Sequence, residues 1–426
     1  MHIAFRHSFR AFLLPALIVA IVALACSTSQ ADPHIGGTVR VVGSWSGAEQ
    51  DAFLAMVRPF EQQTGVSVEY TGTRDLNGLL WQGVAQKNPP DVAGLPGPGQ
   101  MAEFARFGAL QDLTNVIDVG TYKKDTVPTF IDLGTVDGKL VGVFIKATLK
   151  GLIWYNPKVY TLPAPDTWTS LQSDAALAKR DANTWCVGLG SDATSGWPGT
   201  DWIEDFVLRQ SGPDVYDDWV SGKLPWTSPE IKQAFQQYGT VVADTAGGPT
   251  SVIATSFQDG GNGLFSSPPQ CLFHHQATFM TEFFKSQAGA RDGEYDFFPF
   301  PTMDERFAND VTGAGDLFGM FRDTPQARAL MAYLVTPEAQ SIWVSRGGAL
   351  SVNSQVTNYP DDISRRAAQI LSSASIFRFD GSDLMPEQLN EAFLQGVISY
   401  TRDPGSLDSI LHSLDDVSKS NVTEPH

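Results

Sequence analysis

The N-terminal third of this 426-residue chain alternates short β-branched runs with segments of helical periodicity, and that alternation limits its possible folds most tightly. Residues 37–43 alternate as a strand does, and in residues 49–63 Phe53, Leu54, Val57 and Phe60 recur at helical spacing. Thr64-Gly65 ends that helix, and residues 66–70 begin a second strand. Residues 75–87 read as helix, Pro89-Pro90-Asp91 turns into a short strand through Leu95, and residues 101–107 are again helical. Strand–helix alternation at this spacing predicts an open, mostly parallel sheet covered by helices. In such sheets ligands bind beyond the carboxyl ends of the strands. The loops at 44–49, 73–75 and 95–99 belong at that edge.

Strand patterns return at 140–145 and 151–156, and helical ones at 229–244, 276–286, 325–334, 337–346, 363–371 and 386–400. The length suits two or three domains with substantial cores. Lys and Arg total 29 against 47 Asp and Glu, a formal charge of −18. Such a chain is repelled by nucleic-acid phosphates and anionic lipid head groups, so neither is an expected partner.

Arg6 and Arg10 precede an uncharged apolar run from Ala11 to Ala25, with small residues at its end. A basic start, a short apolar core and small residues describe an export signal over residues 1–25, too short to span a bilayer comfortably. Ala23-Leu24-Ala25-Cys26 followed by Ser27-Thr28-Ser29 looks like a bacterial lipoprotein signal, in which Cys26 is acylated and becomes the mature N-terminus. The usual Leu three places before the Cys is here Ala23. The alternative is cleavage near Ala31, with Cys26 discarded. The mature protein is then exported and touches the membrane only through its N-terminal lipid. Cys186 and Cys271 remain, and in an oxidising compartment they are expected to pair, the alternative being two buried thiols.

Further motifs carry a resemblance. Trp45-Ser46-Gly47, Phe60-Glu61, Thr64-Gly65-Val66-Ser67-Val68 and Asn88-Pro89-Pro90-Asp91-Val92-Ala93 occur in order. Phe107 to Leu113, Asp137 to Val143, Leu152 to Asn156 and Pro165-Asp166-Thr167-Trp168 follow. Ala332 to Gln340 and Asp383-Leu384-Met385-Pro386 complete the series. Together they resemble the solute-binding proteins of ABC sugar importers, most of all the α-glucoside branch related to maltodextrin-binding proteins. The resemblance implies an α/β fold of two lobes, each an open, mostly parallel sheet flanked by helices, joined by hinge strands with the sugar in the cleft. It places lobe one at 36–143 plus 312–350 and lobe two at 144–311 plus 351–420. A spacer at 26–35 and a tail at 421–426 flank them. It also implies permease subunits as partners, a monomeric receptor, no catalysis and no cofactor.

A sugar site needs flat aromatic faces and planar polar groups that fix hydroxyls in direction. In Trp197-Pro198-Gly199-Thr200-Asp201-Trp202, Gly and Pro are expected to hold a loop that frees an indole and a carboxylate for a ligand; Trp202 would sit on the helix that follows. Two core tryptophans are the bland alternative. Ser46 and Glu49 sit at the first strand-to-helix junction, where Glu49 could instead complement the helix dipole. Asp75 could accept ligand hydroxyls or cap the next helix. Two prolines argue against a phosphate cradle at residues 95–99, and Gly97 instead allows close approach to a ligand.

His274 and His275 point to opposite faces of a strand, which argues against a shared metal. The resemblance makes His275 and Gln276 cleft residues. Gly315 and Asp316 lie at the implied recrossing, and Arg378 and Asp383 in a loop before a helix. A secreted glycoside hydrolase, or the same fold taking a polyamine, glycerophosphodiester or metal chelate, are the competing readings.

Overall fold

The computed structural model describes residues 34–95, 97–178 and 182–423, the side chains of 421–423 excepted. The expected export signal and Cys26 lie outside the described residues. Twelve strands are described. They are β1 (Thr38–Gly43), β2 (Ser67–Gly72), β3 (Val92–Leu95), β4 (Thr135–Val136), β5 (Lys139–Leu140) and β6 (Gly142–Leu149). The rest are β7 (Leu152–Tyr155), β8 (Asn183–Cys186), β9 (Cys271–His275), β10 (Asp296–Pro299), β11 (Asp310–Met320) and β12 (Ile376–Phe379).

The first sheet runs β12-β11-β3-β1-β2, with β6 also on β11. Its β1–β2, β1–β3 and β11–β12 ladders are parallel, as the N-terminal alternation requires, while β11 meets β3 and β6 antiparallel. The helix Ala48–Thr64 buries Ala52, Phe53, Met56, Val57 and Phe60, one stripe at helical spacing, in a core shared with Val39, Val41, Leu330, Met331 and Trp343. The second sheet runs β10-β7-β9-β8. Its core gathers Trp202, Phe206, Trp219, Tyr238 and Phe273 with Phe393, Val397 and Leu411 from the C-terminal helices. Cys186 at the end of β8 and Cys271 at the start of β9 form a disulfide, with Cα atoms 5.5 Å apart.

The two sheets are joined where chain segments run side by side. β6 leaves the first sheet and β7 enters the second after Lys150-Gly151, while β11 returns, pairing with β6 from Gly313 to Gly319. Leu350 exchanges two backbone hydrogen bonds with Ala147, at 2.7 and 2.8 Å. Strand β12, drawn from the stretch expected in lobe two, pairs with β11 in the first sheet. Gly313 to Asp316 lie inside β11, where it runs beside β6, and Arg378 stands on β12, not in a loop. No described helix is long and apolar enough to cross a membrane.

Candidate functional site

Between the two sheets lies a cavity of about 1290 Å³, open solvent at its mouth included. Its first wall comes from the loops after β1 and β2, with Ser44, Trp45, Glu49, Arg74 and Asp75. Its floor is the pair of crossing strands, through Lys146 and Thr148 of β6, Lys150 just after it, and Ala314, Gly315 and Asp316 of β11. The opposite wall presents Trp197, Phe257, Phe279, Asp380 and Asp383. Of the expected strand-edge loops, those at 44–49 and 73–75 line this cavity and that at 95–99 does not.

Electrostatics organise the floor. Lys146 Nζ donates to Glu49 Oε1 at 2.9 Å and lies 3.2 Å from Asp316 Oδ2, while Trp45 Nε1 donates to Asp316 Oδ1 at 3.2 Å. Burial alone would lower the Lys146 pKa, but Asp316 and Glu49 more than offset it, so the ammonium is held charged. Burial raises the Asp316 carboxyl despite Lys146.

Lys150 Nζ donates to Asp201 Oδ1 at 2.7 Å and to Asp380. Burial pushes Asp380 up, yet Lys150, the Ser382 hydroxyl and the Asp383 amide together take it below its ordinary value. Asp380 therefore carries the negative charge opposite Lys150. Asp201 is pushed up to about 8 by burial, with Lys150 opposing and Asp380 adding. Desolvation, then Asp380, likewise raises Glu204 and Asp383. Asp201, Glu204 and Asp380 are close enough together to hold an ion. The Lys150 ammonium already bonds two of them, so the cluster is a neutralised salt bridge.

Of the residues marked from sequence, Glu49, Asp75, Trp197, Gly315, Asp316 and Asp383 line the cavity. Asp75 occupies the N-cap position of the helix Leu76–Ala85 but makes no side-chain cap bond, which leaves its carboxylate to the cavity. The other six stand elsewhere. Trp197 to Thr200 are the first turn of the helix Trp197–Ser211, entered through Gly196 at φ 112°, and not a loop. Trp202 lies on that helix's inner side, 1% exposed, in the second core. His275 is buried, stacks on Trp202 and bonds Asp205 Oδ2 at 2.6 Å. Gln276 is buried too, its Oε1 accepting from the Ala277 amide.

Arg378 forks onto Asp217 at 2.6 and 2.8 Å, away from the cavity. Ser46 is exposed, and its neighbours Ser44 and Trp45 face the cavity instead. Gly97 packs on the backbone of Asp383, where a Cβ would fall 2.3 Å from the carbonyl oxygen. Gln100, three residues on, lines the cavity.

Lys146 and Lys150 escaped the sequence reading because the strand was ended at residue 145, inside the apolar run. The alternation Lys146-Thr148-Lys150 was the available signal, since alternate residues of a strand share a face. The Arg74 guanidinium, beside Asp75, donates to Ser191 Oγ at 3.0 Å and to the Ser44 carbonyl at 3.1 Å, tying the two walls together.

Residues 55–369 match the model of a bacterial extracellular solute-binding protein family. The osmoprotective compounds-binding protein GgtB of Synechocystis sp. is 33% identical over 404 residues, covering 91% of this chain and 95% of that protein. The alpha-glucosides-binding periplasmic protein AglE of Rhizobium meliloti is 33% identical over 394 residues, covering 88% and 85%. Among solved structures, a chitin oligosaccharide binding protein superposes with a TM-score of 0.79 at 16% identity, covering 90% of this chain and 98% of that one. The maltotriose binding protein of Thermus thermophilus does so with a TM-score of 0.69 at 15% identity, covering 90% and 100%. These structures share the two-lobed fold. With its family model matched over most of its length and two relatives alike nearly end to end, the chain belongs to the bacterial extracellular solute-binding proteins.

Proposed function

We propose that this protein binds an extracellular sugar, an α-glucoside or another small oligosaccharide, in the cleft between its sheets and delivers it to an ABC importer permease. One observation carries the reading: Trp45, Trp197, Phe257 and Phe279 share a single cavity with the carboxyl groups of Asp75 and Asp383. Ring faces suit the apolar side of a pyranose and carboxylates accept its hydroxyls. The alpha-glucosides in the name of one relative and the oligosaccharides in those of the two solved structures support a sugar, while the other relative is named for osmoprotective compounds. Catalysis forms no part of the reading; hydrolysis would require two carboxylates flanking the scissile bond, one kept protonated.

Lobes at about 36–143 plus 312–350 and 144–311 plus 351–420, with β12 lying in the first sheet, would move about the crossing strands as a hinge. Cys26, acylated, would tether the exported protein to the membrane as a monomeric receptor. A Cys26→Ser protein is expected to lose palmitate labelling and leave the membrane fraction; unchanged labelling ends the lipoprotein claim.

The function itself is tested by calorimetry and scanning fluorimetry with maltose, trehalose, sucrose and raffinose. A bound sugar at 100 times its Kd stabilises the fold by about 2.7 kcal/mol. No heat and no melting shift with any sugar would end this reading, and recovery of hydrolysed sugar would turn it into a hydrolase.

A further inference from the structure

Lys146 and Thr148 alternate along β6, Lys150 directly follows its last residue, and all three line the cavity. The two lysines are almost wholly buried, with side chains 5% and 7% exposed. Each is held by two carboxylates from different parts of the chain, Lys146 by Glu49 and Asp316, Lys150 by Asp201 and Asp380. Each also lies against an indole: Lys146 is 5.4 Å from the Trp45 ring centre and Lys150 5.5 Å from that of Trp197. The third cation, Arg74, is engaged by Ser191, Thr194 and the Ser44 carbonyl and rests 5.1 Å over the Phe257 ring.

Among the described residues lining the cavity, the cations thus already have partners, and acids outnumber them, since Asp75 and Glu391 join Glu49, Asp316 and Asp380. A phosphate or carboxylate brought here would lose its water without gaining a free cation, beside carboxylates that repel it. A neutral ligand's hydroxyls meet acceptors, and ring faces take its apolar side.

Resting on the sugar reading above, we propose that the cleft admits uncharged polyhydroxyl ligands and rejects phosphorylated or carboxylated ones. Lys146 and Lys150 are positioning residues in this scheme: they fix carboxylates in place and are themselves denied to an anion.

The test pairs each neutral sugar with its phosphate in calorimetry: trehalose with trehalose 6-phosphate, maltose with maltose 1-phosphate, sucrose with sucrose 6-phosphate. In at least one pair the neutral member is expected to bind, and its phosphate at least 100-fold more weakly. The Glu49→Gln/Asp316→Asn protein, in which Lys146 loses both carboxylates, should narrow that ratio tenfold or more. General damage to the fold weakens both members alike and leaves the ratio unmoved. Where the double variant does not fold, Glu49→Gln alone is read the same way, with a smaller narrowing.

A phosphate binding within tenfold of its neutral partner overturns the selectivity while sparing the sugar reading. An unmoved ratio in a folded variant overturns the role of Lys146. Failure of every sugar, neutral or charged, removes the sugar reading and this inference with it.

Discussion

Trp197 and Trp202 stand five residues apart on the helix Trp197–Ser211, roughly 140° around its axis. One therefore reaches the cavity wall while the other packs among Trp185, Phe206 and His275. Their alanine variants should part accordingly. Trp197→Ala removes an aromatic platform, and a loss of about 2–4 kcal/mol would weaken calorimetric sugar affinity roughly 30- to 1,000-fold, with the unliganded melting temperature little changed. Trp202→Ala opens a core cavity at a cost of about 3–5 kcal/mol and should melt early. A Trp197→Ala protein that binds normally and unfolds early would return Trp197 to the core. Asp201, next to this helix's first turn, predicts a pH dependence. Its carboxyl is raised by burial to about 8, so the folded chain holds that proton more tightly than the unfolded one does. The stabilisation is complete below the unfolded value near ~4 and is lost as pH rises through about 8. Melting temperature should thus fall from pH 6 to pH 9 more steeply in the wild type than in Asp201→Asn. Equal slopes would count against a protonated Asp201.

At the scale of elements, the disulfide binds β8 to β9 across an 85-residue separation, and that long loop sets its expected worth. In the chain-entropy model, closing it contributes ~4–5 kcal/mol, so a Cys186→Ala/Cys271→Ala protein should unfold at markedly lower denaturant. Thiol titration of the unreduced, denatured protein lacking Cys26 should find no free thiol, and two would refute the bridge in solution. Export and cysteine number sufficed to read this pairing from sequence. The first βαβ elements were equally legible, because short β-branched runs and a helical stripe differ in period. The Trp197–Ser211 helix was harder. Asp201, Glu204, Asp205 and Arg209 do recur at helical spacing, which fits the helix expected around Trp202, but the Gly-Trp-Pro-Gly opening imitates a loop and hides its first turn. His275 and Gln276 were misplaced for a related reason. Strand β9 is buried on both faces, and polarity at its end is met internally, by Asp205 and by the Ala277 amide. Polar residues in apolar sequence point equally to a site and to an internal hydrogen bond; only the partner distinguishes them.

At the scale of the whole molecule, contacts cross the cleft outside the cavity as well as in it. Trp81 Nε1 donates to Glu387 Oε2 at 3.2 Å, the Glu387 amide donates to Glu103 Oε1 at 2.8 Å, and Arg74 reaches Ser191. Beside them Gly97 lies against the backbone of Asp383, and it is this approach that a side chain would forbid. A Cβ on Gly97 would stand 2.3 Å from the Asp383 carbonyl oxygen, and one on Gly99 2.2 Å from that of Met385. Neither glycine is at positive φ, so alanine carries no backbone strain and acts only through this contact. If the two walls separate when empty and meet around a ligand, the clash exists only in the closed form. Gly97→Ala then leaves the unliganded protein's melting temperature near that of the wild type but weakens sugar binding by tenfold or more, mainly through faster dissociation. Small-angle scattering should show wild type contracting on saturation with sugar, and Gly97→Ala contracting less. If the walls are instead permanently apposed, the same substitution strains the unliganded protein, which should melt early and show no contraction in either form. The pairing of a melting curve with a scattering curve therefore decides whether this contact belongs to one state of the molecule or to both.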